Sequence, residues 1–279
     1  NAGLPTTGNT TGNLLYWDGS AWVRITPGSN GQVLQINGGI PMWANPAFVC
    51  GESMLFDIDG NSYNTVQIGT QCWTEKNLKV TKYNDGTSIP LDASGGSNGN
   101  GGGQTWSALT TGAYSIYANL SNMGTHATNF GFLYNWYAAA GIITTGGSPT
   151  KNICPSGWHV PTDAEWNILV KYLDSGADTT GSVTKQSTVA GGKMKQTGTS
   201  FWVSNTGATN ESGFSGLPGG LRSHIDGTFI QYGYIAFFWS AESGSATSTW
   251  DRRLFNDDGD VDRGFTDKRS GCSVRCLRD

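Results

Sequence analysis

Gly213-Phe214-Ser215-Gly216-Leu217-Pro218-Gly219-Gly220-Leu221-Arg222, then Trp239-Ser240-Ala241-Glu242, then Gly271-Cys272-Ser273-Val274-Arg275-Cys276-Leu277-Arg278-Asp279, set the architecture of this chain. Between the second and third stretches, polar segments punctuated by glycine carry bulky residues at alternating positions. A period of two is strand geometry, in which successive side chains point to opposite faces. The combination reads as a rigid frame carrying a display surface. No nucleophile–base pair stands out in it, which tilts the reading toward recognition and away from catalysis.

Composition agrees with a folded chain. Charged residues are only 14% of the 279, while Gly (41) and Trp (11) are abundant. Low charge with many aromatics argues against disorder, and such a composition suits sheets and long ordered loops. The length allows one large domain, or a domain with an appendage. No apolar run approaches the ~20 residues of a membrane span. A net charge of −4 gives no reason to expect nucleic acid, whose binding needs clustered Lys and Arg. No signal peptide is visible, and Asn1 reads as a processed or truncated start.

Five cysteines occur, Cys50, Cys72, Cys154, Cys272 and Cys276, without a CxxC pair or a histidine-rich cluster. A zinc site is therefore not expected. Cys272 and Cys276 read as lying on one strand, where their Cα atoms would be about 13 Å apart, too far for a bridge to each other. We favour Cys50–Cys72 and Cys154–Cys276, with Cys272 unpaired, in an oxidising, extracellular setting. The alternative is five buried thiols in a cytosolic protein.

Working toward the start, residues 1–47 form an appendage with an internal repeat. Gly12-Asn13-Leu14-Leu15-Tyr16-Trp17-Asp18-Gly19-Ser20-Ala21-Trp22 parallels Gly31-Gln32-Val33-Leu34-Gln35-Ile36-Asn37-Gly38-Gly39-Ile40-Pro41-Met42-Trp43. Each copy predicts a β-hairpin around an Asp-Gly or Asn-Gly turn. Two small hairpins bury little core alone, so we expect them to pack on the main domain or to form a stalk or homo-oligomer contact. Residues 48–279 form the main domain. Within it, Leu55–Ile68 reads as a hairpin. Its Asp57-Ile58-Asp59-Gly60-Asn61 string invites a calcium reading but lacks the further acidic ligand of a calcium loop, so a plain turn is preferred. Trp73–Val80 reads as a short helix or strand, residues 93–103 as a mobile low-complexity loop, and Phe130–Ala140 as helical or buried. Thr162 with Glu165 three residues on forms a capping box. Trp166, Leu169, Val170 and Leu173 then recur at helical spacing.

At that helix start, Cys154-Pro155-Ser156-Gly157-Trp158-His159-Val160-Pro161-Thr162-Asp163-Ala164-Glu165-Trp166 resembles the signature of the Fibrobacter succinogenes major paralogous domain. Asp57–Asn61, Lys82-Tyr83-Asn84-Asp85-Gly86, Leu133-Tyr134-Asn135-Trp136-Tyr137, Gly213–Arg222 and Gly271–Asp279 resemble it too. The likeness runs from about Cys50 to Asp279. It implies a C-type lectin-like, α+β domain: twisted antiparallel strands, few helices, long ordered loops and paired terminal strands. It also implies kinship with formylglycine-generating enzymes and with the variable proteins of diversity-generating retroelements. In those, a hypermutated C-terminal segment alters ligand binding.

Alternation along Trp250–Phe255 puts Trp250, Arg252 and Leu254 on a core face, and Asp251, Arg253 and Phe255 on an exposed one. Val261, Arg263, Lys268, Gly271, Val274, Arg275 and Cys276 resemble the family's frame. The positions between carry the expected ligand surface: Ser243, Ser245, Thr247, Asp251, Arg253, Phe255, Asp258, Asp260, Asp262, Phe265 and Asp267. Cys272 falls among these variable positions as a free thiol. Exposed Phe255 and Phe265 among Asp and Arg suit a binding surface, where aromatic and Arg anchors dominate the energetics.

Enzyme readings are weaker. The copper-binding cysteine pair of formylglycine-generating relatives has no good counterpart, because Cys276 matches the frame and Cys272 does not. His126, His159 and His224 lie in no nucleophile arrangement, and His159 reads as a structural histidine. Glu242 reads as a frame hydrogen-bonder rather than an acid catalyst. Trp250-Asp251 lacks the Asn of a lectin calcium strand, and no acid–Pro–Asn loop is present. We therefore expect no catalytic residues, no cofactor and no metal. The expected function is binding a protein or glycan ligand on a cell surface, by a surface or secreted protein diversified by a retroelement. The alternative is an adhesin, pilus-tip or structural surface protein with a fixed partner, and copper oxidase activity ranks third.

Overall fold

The turns of the appendage follow from their residue types. Leu14–Trp17 pairs antiparallel with Trp22–Ile25, and the Asp18 carboxylate between them accepts from the Ser20 and Ala21 backbone amides at 2.8 and 2.7 Å. Val33–Asn37 pairs with Ile40–Ala44. Gly38 and Gly39 close that hairpin at φ of 59° and 83°, the doubly positive backbone that a tight hairpin turn requires. Both expected hairpins are present.

The computed structural model describes residues 4, 7–8, 10–93, 104–117, 123–141, 151–180 and 184–279. Two compact units result, 1–49 and 50–279. The second is α+β, with short helices and two four-stranded antiparallel sheets. One sheet runs Trp158–His159, Leu277–Arg278, Gln71–Thr74, Thr65–Ile68. It joins the last strand to an early one, through Leu277 opposite Trp73. The other runs Lys185–Ser187, Val261–Asp267, Ser248–Phe255, Ile235–Ser243.

The helix Asp163–Leu173 has the predicted start. Thr162 Oγ1 accepts from the Glu165 amide, and the Glu165 carboxylate accepts from the Thr162 amide. Trp166, Leu169, Val170 and Leu173 are all buried on the face that spacing marked. They meet Trp73, Phe214, Phe238, Leu254 and Val261 in one core cluster. Trp73 and Trp166 lie 4.7 Å apart, and Phe214 and Phe238 meet edge to face at 5.4 Å. Each such side chain contributes about 1.5–3 kcal/mol on full burial.

Several local expectations change. The hairpin begun at Leu55 ends at Tyr63, because Thr65–Ile68 turns away to pair with Gln71–Thr74. Asp57 is a turn organiser: its carboxylate accepts from the Asp59 and Asn61 amides and from the Tyr63 hydroxyl. The strand ends at Thr74 and no helix follows before Val80. Phe130–Ala140 is buried throughout, with the helix Trp136–Ala139 inside it. Apart from Ala93, the segment 93–103 lies outside the described residues.

The disulfides are Cys50–Cys72 and Cys154–Cys276, a pattern that fits an extracellular protein. Among the described residues no helix is long and apolar enough to cross a membrane. Cys272 is free but fully buried, so its placement on a variable surface is corrected. Nor does it share a strand with Cys276. It bridges Tyr134, while the final strand begins at Leu277.

His159 sits between Glu165 and Asp279, with a ring nitrogen toward each. The Glu165 hydrogen bond raises its pKa to about 9, against partial burial and with help from Asp279. A folded-state pKa above the unfolded value stabilises fully below about 6.5. That stability is lost as pH rises through about 9. The melting temperature is therefore expected to fall between pH 6.5 and 9.5. His159→Gln should remove this slope, and an unchanged slope in the variant would remove His159 as its source.

Candidate functional site

The C-terminal sheet is held from behind by one carboxylate. Asp163, the first residue of the long helix, accepts from Arg252 Nη1 at 2.8 Å and from Arg263 Nε and Nη2 at 2.9 and 2.7 Å. Arg252 and Arg263 are opposite each other on adjacent strands. Burial alone would raise the Asp163 carboxyl, but the Arg263 hydrogen bonds and the Arg252 charge outweigh it and hold its pKa below the ordinary value. Buried charges of this kind persist only when paired.

The two ends of the sheet are clamped by buried lysines. Lys268 Nζ donates to Ser243 Oγ and to the Ser245 and Ala246 carbonyls, and lies 4.4 Å from the Trp136 ring. Lys195 Nζ donates to the Thr206, Phe255 and Asp258 carbonyls, over the Trp202 ring. Burial lowers the pKa of both. Each cation thus fixes the backbone of a turn without occupying its outer surface.

The predicted surface residues divide between these ends, which the strand Ser248–Phe255 separates by roughly 23 Å at strand rise. At one end lie Ser243, Ser245, Thr247, Phe265 and Asp267. Ser243, Ser245 and Thr247 are exposed, and Phe265 is 47% exposed. Asp267 is half-buried and paired with Arg269. At the other end lie Phe255, Asp258, Asp260 and Asp262.

Four placements are corrected. Asp251 is fully buried and pairs with Arg253, whose Nε donates to it at 2.7 Å. Arg253 is half-buried and spans from Asp251 to Thr266, above Gly264. A Cβ on Gly264 would overlap that guanidinium, so the glycine provides the seat for the ion pair. Phe255 is half-buried rather than exposed. Asp260 is buried against Lys185. Asp258 and Asp262 are half-buried, and burial raises both carboxyls. Along Trp250–Phe255 alternation fixed the face, but neighbouring chain covered it.

Two other residues shift role. Trp250, assigned to the core face, is half-exposed. Its ring meets Phe265 at 4.7 Å and the Arg263 guanidinium at 3.4 Å. Glu242 is exposed, and its frame bonds are made by its backbone: the carbonyl accepts from the Thr249 hydroxyl and the amide donates to Ser240 Oγ. His159 is structural, as expected. Frame roles hold for Arg222, which donates to the Gly227 and Asp92 carbonyls and stacks on Trp106. They hold also for Arg275, whose guanidinium donates to Asn77, Thr74, Phe214 and Ser215.

Sequence reading missed a polar cleft of about 300 Å³ lined by Glu75, Lys76, Asn129, Gln196, Thr197 and Asn210. Its inner wall, Asn77 and Arg275, is already bonded within the protein. The candidate site thus consists of a serine- and threonine-rich turn beside exposed Phe265 and half-exposed Trp250, on a backbone fixed by buried cations. It offers stacking surface and hydroxyl groups. Among the described residues, no group of three or more His, Cys, Asp or Glu side chains is placed to hold a metal.

The family model described as the Fibrobacter succinogenes major domain matches residues 66–278. No curated protein and no solved structure matches the chain.

Proposed function

The chain belongs to the Fibrobacter succinogenes major domain family, and from that premise we propose that it is a surface or secreted protein that binds a protein or glycan ligand. We take its main domain as C-type lectin-like. Support comes from the joined terminal strands and from loops anchored by buried Arg and aromatic side chains. The binding surface is the end of the sheet carrying Phe265, Trp250 and the turn 243–248. One observation carries this reading. Phe265 is a large aromatic left 47% exposed beside a turn whose backbone a buried lysine, Lys268, holds in place.

Aromatic anchors at the centre of an interface commonly cost 2 kcal/mol or more when truncated, whereas exposed substitutions shift stability by ~0.5 kcal/mol or less. Phe265→Ala is expected to weaken ligand binding at least tenfold with an unchanged melting temperature. The check is a screen of the full chain on cell-surface glycan and protein arrays, followed by titration of both forms. Equal affinities would remove this end of the sheet as the site. A loss on Gln196→Ala instead would move the site to the polar cleft.

Diversification by a retroelement is the finer proposal. Sequencing the locus across its source population should then show changes gathered at Ser245, Thr247 and Phe265, with Arg252, Arg263 and Lys268 constant. A uniform segment would favour a fixed-partner adhesin.

A further inference from the structure

In the N-terminal unit, not one described residue from Leu4 to Val49 is buried. Its strands nonetheless carry large apolar side chains. Trp17, Trp22, Leu34, Ile36, Ile40 and Met42 are between 39% and 66% exposed. Two-stranded hairpins are marginal in water, and stability requires further strands or a covered apolar face. The unit therefore holds a folding surface without a core of its own.

The apolar residues occupy both faces of the hairpins. In the first, register puts Leu15, Trp17 and Trp22 on one face and Leu14, Tyr16 and Val23 on the other. In the second, Val33, Ile40 and Met42 oppose Leu34, Ile36 and Trp43. A sheet apolar on both faces is built to be covered twice. Together with Leu14, Leu15 and Val33, the six side chains above leave on the order of 800 Å² open over both faces together, so that each of two neighbours would cover about half of one partner's share of a standard interface.

Charge narrows the occupant. Asp18 and Arg24 are the only charged residues in 1–49. Asp18 caps its own turn, and Arg24 Nη2 donates to the Thr7 carbonyl at 2.6 Å. Nothing in the unit's charge selects an acidic or basic partner, and two copies meet without repulsion. The two hairpins are also near-repeats of one sequence, so the surface that one presents the other can meet. We propose that this unit is an oligomerisation module, whose apolar faces are covered by the same unit of other copies of this chain. Two faces call for two neighbours, and a closed ring of three or more copies supplies both. Such an assembly would also present several binding surfaces together and raise avidity for a clustered ligand.

The test is the solution mass of the full chain, by sedimentation equilibrium and light scattering. The expected mass is at least three times 29.6 kDa. Leu15→Lys with Ile36→Lys places one cation on an apolar face of each hairpin and is expected to weaken assembly more than tenfold. Ile225→Lys, at a 77% exposed position of the main unit, should leave the mass unchanged. Dilution of the unmodified chain provides a reading free of substitutions: mass should fall together with a red shift of tryptophan emission as Trp17, Trp22 and Trp43 meet water. A monomeric wild-type chain at tens of micromolar, or assembly untouched by the paired lysines, would overturn the proposal.

Discussion

Replacing Asp163 with Ala is expected to cost about 3–5 kcal/mol, because it leaves two guanidinium groups buried without a counter-charge. Arg252 is fully buried and would retain three neutral acceptors, Asn167 Oδ1 and the backbone carbonyls of Asp251 and residue 163. Arg263 would retain the face of Trp250 but lose two hydrogen bonds to the carboxylate, and Arg252 would lose one. The loss should appear as a lower denaturation midpoint at an unchanged denaturant slope. At 2–4 °C per kcal/mol, the melting temperature should fall by roughly 6–20 °C. Asp163→Asn keeps the shape and some acceptor capacity but removes the charge, so its loss should fall between wild type and Ala.

The same linkage gives a pH sign. Asp163 has a folded-state pKa below its ordinary value. Its contribution is present above the unfolded carboxylate pKa of about 3.9 and is lost as pH falls through the folded value. The wild-type chain should therefore lose stability in that acid range more steeply than Asp163→Asn. A loss below about 1 kcal/mol in the Ala variant would mean that water or a rearranged neighbour satisfies both arginines, and the account of the frame would fail.

That ion-pair hub shows where the sequence stopped being readable. The helix start at Thr162 was legible because a capping box lies within four consecutive residues. The hairpins were legible because Asp-Gly and Asn-Gly turn signals are equally local, although in the second hairpin Asn37 pairs with Ile40 and the turn itself is Gly38-Gly39. Asp163 stood in plain view beside the cap, but its partners lie 89 and 100 residues away, and no spacing rule connects them. Alternation on Trp250–Phe255 likewise sorted side chains into faces correctly. Which face is covered is a tertiary fact. Asp251 disappears because Arg253 folds over Gly264 to reach it, and Trp250 stays half-exposed at the sheet's end. Lys195, clamping three carbonyls, gave no signal beyond being a lysine. Residue type predicted an aromatic binding surface at Phe265, where the side chain is in fact exposed. It failed at Phe255, where the Ile235 strand lies alongside.

Removing the Cys154–Cys276 bridge is expected to cost about 4–5 kcal/mol on the chain-entropy argument, because it closes a loop of 122 residues. The Cys50–Cys72 bridge closes only 22 residues and should contribute about 3 kcal/mol on the same basis. The longer bridge also ties the segment before the capped helix to the residue preceding the final strand, so its loss frees the adjacent strands Trp158–His159 and Leu277–Arg278 at one edge of their sheet. Guanidinium unfolding of Cys154→Ala/Cys276→Ala and Cys50→Ala/Cys72→Ala should rank the two in that order. Accessibility predicts the opposite order of reduction. Cys154 and Cys276 are fully buried, whereas Cys50 is half-exposed, so a mild reductant should open Cys50–Cys72 first in the native state. Cys272 should not interfere. Burial pushes its thiol pKa well above the ordinary value, and thiolate is the species that attacks a disulfide. A thiol reagent should therefore find no cysteine in the native oxidised chain and one after unfolding. If Cys272 reacts natively, the segment between Arg222 and Tyr134 that encloses it opens in solution. The rigid support inferred for the binding surface would then be lost with it.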